Sequence, residues 1–264
     1  MRRLVPALAL PVLCSVALLA QSPAPPAPGN QAAAGTASTT LPEAGEVLTR
    51  YVAALGGQAA ISKLNSRVMK GTFEIPAQNI SGSAEIDMQA PDHFFSEISI
   101  PDGGEHILVF DGKTGWSAEP QSGVHRISGL ELDQLQRSSQ FLYESRLREL
   151  FTNIRVVGKI MEENRSAWVV QAAPAQGYPE LFYFDVDSGL LLRHDSIVAT
   201  SDGNVLSEHR YSHYVTVDGV EVPSLLRHHD AHFDWQVKFT EIRQNVPIDS
   251  SKFAKPSAHQ PAHK

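Results

Sequence analysis

Cysteine is almost absent. Cys14 is the only one in 264 residues, and it lies inside an N-terminal apolar run that reads as a leader. Once that leader is removed the chain has no thiol nucleophile, no cysteine metal site and no disulfide, so its stability must come from burial. Leu13 stands where a lipid-attachment signal needs a small residue, so Cys14 is expected to leave with the leader. No G-x-S-x-G turn, phosphate-binding loop or dinucleotide fingerprint occurs. Glu162-Glu163 and Asp185/Asp187 sit in turn-like sequence and read as solvated charge and turn formers, not as an acid/base pair. Positive charge is in deficit: 22 Lys and Arg against 29 Asp and Glu give a net −7. That argues against nucleic acid and against docking on an anionic lipid surface. A bilayer-spanning run is also missing. The apolar stretch from Leu4 to Ala20 falls short of the roughly 20 residues a helix needs, and Pro6 and Pro11 interrupt it. With Met1-Arg2-Arg3 before it and Ala17-Leu18-Leu19-Ala20-Gln21 at its end, residues 1–20 read as a cleaved signal peptide. The expected location is the periplasm or the cell exterior.

What is present begins with a tether. Residues 21–39 are Ala, Pro, Gly, Ser and Thr with little else, which cannot bury enough surface to order, and read as a disordered linker. A single domain is expected over 40–256, with a disordered tail over 257–264. Thr40 and Glu43 have capping-box spacing, and Val47, Leu48, Tyr51, Val52 and Leu55 fall on one helical face that Gly56-Gly57 ends. A short second helix follows to Leu64. From Ser66 the apolar period becomes two, and strands are expected at 67–75, 81–89, 93–100 and 106–110. Residues 129–151 interrupt the sheet with a helical stripe through Leu132, Leu135, Leu142, Tyr143, Leu147 and Leu150, weakened at Ser138-Ser139 and thus open to division into two helices. Phe141 lies off that stripe as a second packing contact. Strands resume at 154–161, 167–173, 181–185, 190–200, 205–217, 220–230 and 233–243. Asp249 is placed to cap a last short turn through Phe253.

Asp202-Gly203 and Asp218-Gly219 signal two-residue hairpins. With tight turns there, Ser201 pairs with Asn204 and Val217 with Val220. His194 is then opposite Tyr211, His209 opposite His228, and His213 opposite Ser224. One face of this meander carries Leu192, His194, His209, Tyr211, His213, Leu226 and His228, together with Leu190, Val198 and Val215. The other carries Arg193, Asp195, Glu208, Arg210, Glu221 and Arg227 and must face water. Imidazoles on an interior face need partners. Three readings stay open: a hydrogen-bonded core, the lining of a cavity between sheet and helices, or a metal site using His194, His209 and His228. No cofactor is called for.

Several short stretches carry a likeness. They are Tyr51-Val52-Ala53-Ala54-Leu55-Gly56-Gly57, Lys70-Gly71-Thr72, and Phe110-Asp111-Gly112-Lys113-Thr114-Gly115-Trp116. Tyr183-Phe184-Asp185 with Ser188-Gly189-Leu190-Leu191, Val217-Asp218-Gly219-Val220-Glu221-Val222-Pro223, and Asn245-Val246-Pro247-Ile248-Asp249 complete the set. Through them the chain resembles the LolA-like superfamily of cell-envelope proteins, most nearly the bacterial outer-membrane lipoprotein-sorting-like members. The resemblance implies an α+β fold: a strongly curved antiparallel sheet, an unclosed β-barrel of about ten or eleven strands counted from the sequence, with helices over its concave face. In such relatives the space between sheet and helices holds acyl chains or other hydrophobic ligands. The implied function is a non-catalytic periplasmic carrier or binder of a lipid or lipidated protein. The resemblance assigns no individual ligand residue; from the face alternation above, the seven residues from Leu192 to His228 are the candidate lining, with Leu48, Tyr51, Leu135, Phe141 and Leu142 of the helical stretches as the candidate cover. The alternatives are a structural or sensory module with a filled core and an envelope protein partner, and a metal-dependent enzyme built on the histidines.

Overall fold

A computed structural model describes residues 41–200, 203–231 and 233–257. The expected signal peptide, linker and most of the tail lie outside the described residues, as does Thr40 of the capping box. The first helix, α1 (Ala44–Ala54), has Glu43 at its N-cap. It buries Val47, Leu48 and Tyr51, the stripe its 3.6-residue period sets out. A single turn, α2 (Gln58–Ile61), follows the Gly56-Gly57 break.

The rest is one antiparallel sheet of thirteen strands. The N-terminal half comprises β1 (Ser66–Ile75), β2 (Ile80–Gln89), β3 (His93–Ile100), β4 (Gly104–Asp111), β5 (Gly115–Glu119) and β6 (Gly123–Arg126). The insert holds α3 (Gly129–Ser138), a 3₁₀ turn (Tyr143–Arg146) and α4 (Leu147–Leu150). The C-terminal half comprises β7 (Asn153–Glu162), β8 (Arg165–Ala173), β9 (Glu180–Asp185), β10 (Leu191–Thr200), β11 (Gly203–Val217), β12 (Val220–His229) and β13 (Asp234–Gln244). The order is β6-β5-β4-β3-β2-β1-β13-β12-β11-β10-β9-β8-β7. Each half is a meander, and the two join where β1 pairs with β13. β6 and β7 end the sheet at opposite edges, so it is a curved, unclosed barrel. The two strands beyond the expected eleven are β5 and β6.

Bulges supply bends where a regular ladder would stay flatter. One lies at the central join, between Lys70 and Gly71 opposite β13. A Cβ on Gly71 would come within 2.1 Å of the Lys238 carbonyl oxygen, so the close approach of β1 to β13 requires glycine. The main core packs α1 and the insert onto the concave face through Leu48, Tyr51, Tyr143, Leu147, Phe182 and Phe184. A second core, with Met69, Phe73, Val222, Val237 and Phe239, forms the floor of the same face near the join. Helix α1 is pinned at its C-terminal end. The Glu221 amide donates to the Leu55 carbonyl at 2.9 Å, and Gly56 takes φ 116° against the β11–β12 turn.

That turn has Asp218 and Gly219 both at positive φ and pairs Val217 with Val220, as expected. The other hairpin differs. Thr200 pairs with Gly203, so β10 is offset by two residues from the expected register and His194 is opposite His209, not Tyr211. A two-residue offset preserves which side chains share a face. The convex face therefore carries the charged set, but not as solvated charge: Asp195, Glu208 and the Glu162 expected in water are buried in an ion-pair network, where Arg210 bonds Glu162 at 2.8 Å, Arg193 bonds Asp195 at 2.6 Å, and Glu208 pairs with both arginines. The last turn, Ser250–Phe253, is capped by Asp249, which accepts from the Ser251 amide at 2.9 Å. Its Lys252 binds Glu85 and Asp87 at 2.6 and 2.7 Å.

Candidate functional site

Between the concave face and its cover lies a hollow of about 210 Å³. Tyr51, Leu55 and Ile61 come from the helices, Leu142 to Ser145 from the insert, Arg67 and Met69 from β1, and Ile86 and Met88 from β2. Tyr211, Tyr214, Glu221, Val222, Leu226 and Phe239 are among the other residues of the wall. Larger depressions, about 540 Å³ beside α1 and about 450 Å³ beside α3, are open at the surface and lined mainly by charged and polar side chains, so they offer no shelter.

Of the side chains expected to line a cavity, Tyr211 and Leu226 do so, and of the cover residues, Tyr51 and Leu142 do. Leu48 and Phe141 are buried in the main core, and Leu135 packs with Phe110 and Ile127 in a separate one. Leu192 points the other way. A bulge between Leu191 and Arg193 puts Leu191 on the concave face and turns Leu192 out to Ala167, Val169 and Tyr183. His213 is exposed, as is Val215. Its φ of 52° interrupts the alternation, so Tyr214 takes the inward place.

The remaining three histidines share the concave face but lie beyond the hollow. They form a row with aromatic residues across five strands: Phe182, His194, His209, His228 and Trp235 are successive cross-strand partners. His194 stacks on Phe182 at 4.3 Å between ring centres, and His228 on Trp235 at 4.6 Å. His228 Nδ1 is 3.3 Å from His209 Nε2, and its Nε2 is 2.9 Å from Asp230 Oδ2. His209 keeps some accessible surface, yet its ring is hemmed in by His228 and Trp235. Loss of hydration, reinforced by His228 and His194, lowers its pKa to about 3. These contacts are those of a hydrogen-bonded core. Among the described residues no group of three His, Cys, Asp or Glu is placed to hold a metal.

His194 belongs to a cluster that ties cover to sheet. Its Nε2 lies 2.8 Å from Glu180 Oε2, Tyr143 donates its hydroxyl to the same carboxylate, and Arg137 of α3 reaches Glu180 Oε1 at 2.7 Å. Burial alone would raise the Glu180 pKa. Hydrogen bonding and charge from His194, then Tyr143 and Arg137, outweigh it and hold the carboxyl below its usual range.

Sequence reasoning passed over Arg67. It is 8% exposed, and its Nη2 donates to Gln244 Oε1 at 2.9 Å. Its Nε is buried without a partner. Burial lowers its pKa to about 10, against the opposing influence of Glu144 and Tyr51, and it stays charged at neutral pH. The signal was available: Arg67 is in phase with Met69, Phe73 and Ile75, which places an arginine on an apolar face. Tyr214, whose hydroxyl donates to the Leu191 carbonyl at 2.7 Å, and Glu144 were also missed.

No protein-family model matches this chain, and no curated protein matches it. Solved structures do. A DUF1329 family protein from Desulfovibrio piger superposes with a TM-score of 0.53 at 15% identity, covering 81% of this chain and 98% of its own. A LolA superfamily protein from Nitrosomonas europaea gives 0.53 at 12% identity, covering 81% and 98%. An outer membrane lipoprotein-sorting protein domain from Vibrio parahaemolyticus gives 0.50 at 13%, covering 80% and 95%. The chain has a LolA-like fold. Among the described residues, no helix is long and apolar enough to cross a membrane.

Proposed function

We propose that this chain is a non-catalytic binding or carrier protein of the bacterial cell envelope that shelters a hydrophobic ligand, such as a lipid or the acyl chain of a lipidated protein. The observation that carries this reading is the hollow between the concave face and the cover, walled by Met69, Met88, Leu226 and Phe239 with a few polar groups among them. Recognition sites for apolar molecules have this make-up. The leader read from residues 1–20 fits an exported protein. The shared fold of the lipoprotein-sorting domain is in keeping with it.

A volume of about 210 Å³ is below the ~300–1,000 Å³ of ordinary small-molecule sites. That favours a narrow ligand, and it is also the observation behind a second reading, an interaction module whose core is essentially filled. Native mass spectrometry of freshly purified protein separates the two. A bound lipid, or stoichiometric uptake of added fatty acid, supports the carrier. A clean polypeptide mass with no uptake supports the module.

A further inference from the structure

Among the residues walling the hollow, Arg67 is the only cation. A guanidinium has five N–H donors, and the protein occupies few of them here. Nη2 donates to Gln244, whose amide is oriented by its own bond to the Val217 carbonyl at 2.5 Å. Nε has no partner, and no ion pair is made with any described carboxylate. Glu144 lines the same hollow from the cover without forming a salt bridge to Arg67. Tyr51 is near enough that it and Arg67 influence one another's protonation, and burial keeps its phenol protonated as a donor. A largely buried cation whose Nε has no partner, beside an apolar hollow and with Glu144 near it but not bonded to it, is a seat that a hydrogen-bonding anion would complete.

We propose that the occupant is a single-chain amphiphile ending in a carboxylate, its head on Arg67 and its alkyl chain along Met69, Met88, Leu226 and Phe239. This rests on the carrier reading and adds the ligand's headgroup to it. The planar guanidinium matches a carboxylate. A phosphate, with nearly twice the charge, is disfavoured by the neighbouring Glu144 carboxylate. The narrow volume admits one chain more readily than two.

The test measures displacement of a fluorescent fatty acid from the full chain by dodecanoate, dodecanol and dodecyl phosphate at neutral pH. Dodecanoate is expected to bind about tenfold more tightly than dodecanol, a difference of about 1.4 kcal/mol, and more tightly than dodecyl phosphate. Arg67→Met is expected to bring acid and alcohol to near parity, and Glu144→Gln to tighten dodecanoate several-fold and to raise the acid-to-alcohol ratio. Circular dichroism checks that each variant is folded; the acid-to-alcohol ratio of the unaltered protein and the Glu144→Gln result stand without the Arg67 variant. Equal binding of acid and alcohol, a preference that survives Arg67→Met, or tighter binding of the phosphate overturns the headgroup assignment while leaving a carrier. Binding of none of the three overturns the carrier reading and the assignment together.

Discussion

Arg137 on α3 and Glu180 at the start of β9 meet at 2.7 Å, with their side chains 11% and 3% exposed. The insert is thus fastened to the sheet by a buried ion pair, and Tyr143 and His194 complete the carboxylate's hydrogen bonding. A buried pair of this kind stabilises little relative to an apolar substitute, but losing one partner strands the others. Glu180→Ala is therefore expected to cost roughly 3–5 kcal/mol, with Glu180→Gln less damaging. Urea unfolding followed by tyrosine and tryptophan fluorescence measures both. A cost under about 1 kcal/mol for the alanine variant, the range of exposed pairs, would show that the cluster does not hold the cover.

Acid should loosen the protein through two groups. Glu180 has a folded-state pKa below its ordinary 4.5. Its contribution is present above that value and is lost as pH falls through the folded pKa. His209 is depressed from 6.5 to about 3. Above pH 6.5 it is neutral in both states. Below it the unfolded chain takes a proton that the folded chain refuses, so stability falls by up to about 1.4 kcal/mol per pH unit. The His209 imidazole is expected to show no NMR titration between pH 7.5 and 5, and His209→Gln to flatten the stability profile over that range. A His209 midpoint near 6.5 would contradict this.

Gly56 sits at φ 116°, where a Cβ would lie 2.1 Å from the Gly219 carbonyl oxygen. Gly56→Ala combines left-handed strain, about 1–3 kcal/mol by itself, with displacement of the β11–β12 turn that carries Val220 and Val222. Thermal unfolding should show a large drop in Tm, while Gly57→Ala, with positive φ but open space around it, should cost less. Equal effects would place the constraint in φ alone.

The strands and helices were legible because their periods are clean. The two halves of the insert separate where Ser138-Ser139 weakens the pattern, and the inner and outer faces of β10 to β12 followed from alternation even though one hairpin register was off by two. What alternation does not encode was lost. The bulge that turns Leu192 outward and the positive φ at His213 are backbone irregularities with no glycine or proline to announce them. Strands β5 and β6 have five and four residues, too short for a period to emerge. Of the site, Tyr51, Leu142, Tyr211 and Leu226 could be read, whereas Tyr214 could not, and the histidines were drawn to the hollow by sharing its face. Their partners Glu180, Asp230 and Trp235 come from strand ends and loops that only the folded chain brings together. Arg67 was visible in phase with apolar neighbours, but one arginine in a strand pattern is ordinarily a solvated edge residue.

The sheltered hollow itself is tested most directly by filling it. Leu226 reaches its floor from β12, and Leu226→Trp adds bulk there at an overpacking cost of about 1–3 kcal/mol, which leaves a domain of this size folded. Fluorescent fatty acid is titrated into the unaltered protein and into this variant, with a convex-face control such as Leu206→Trp, where Leu206 is 62% exposed. Saturable one-to-one binding that survives the control and weakens at least tenfold in Leu226→Trp is the predicted result. Binding that is unchanged by Leu226→Trp, or absent from the unaltered protein, would contradict an acyl-chain site between the sheet and its cover.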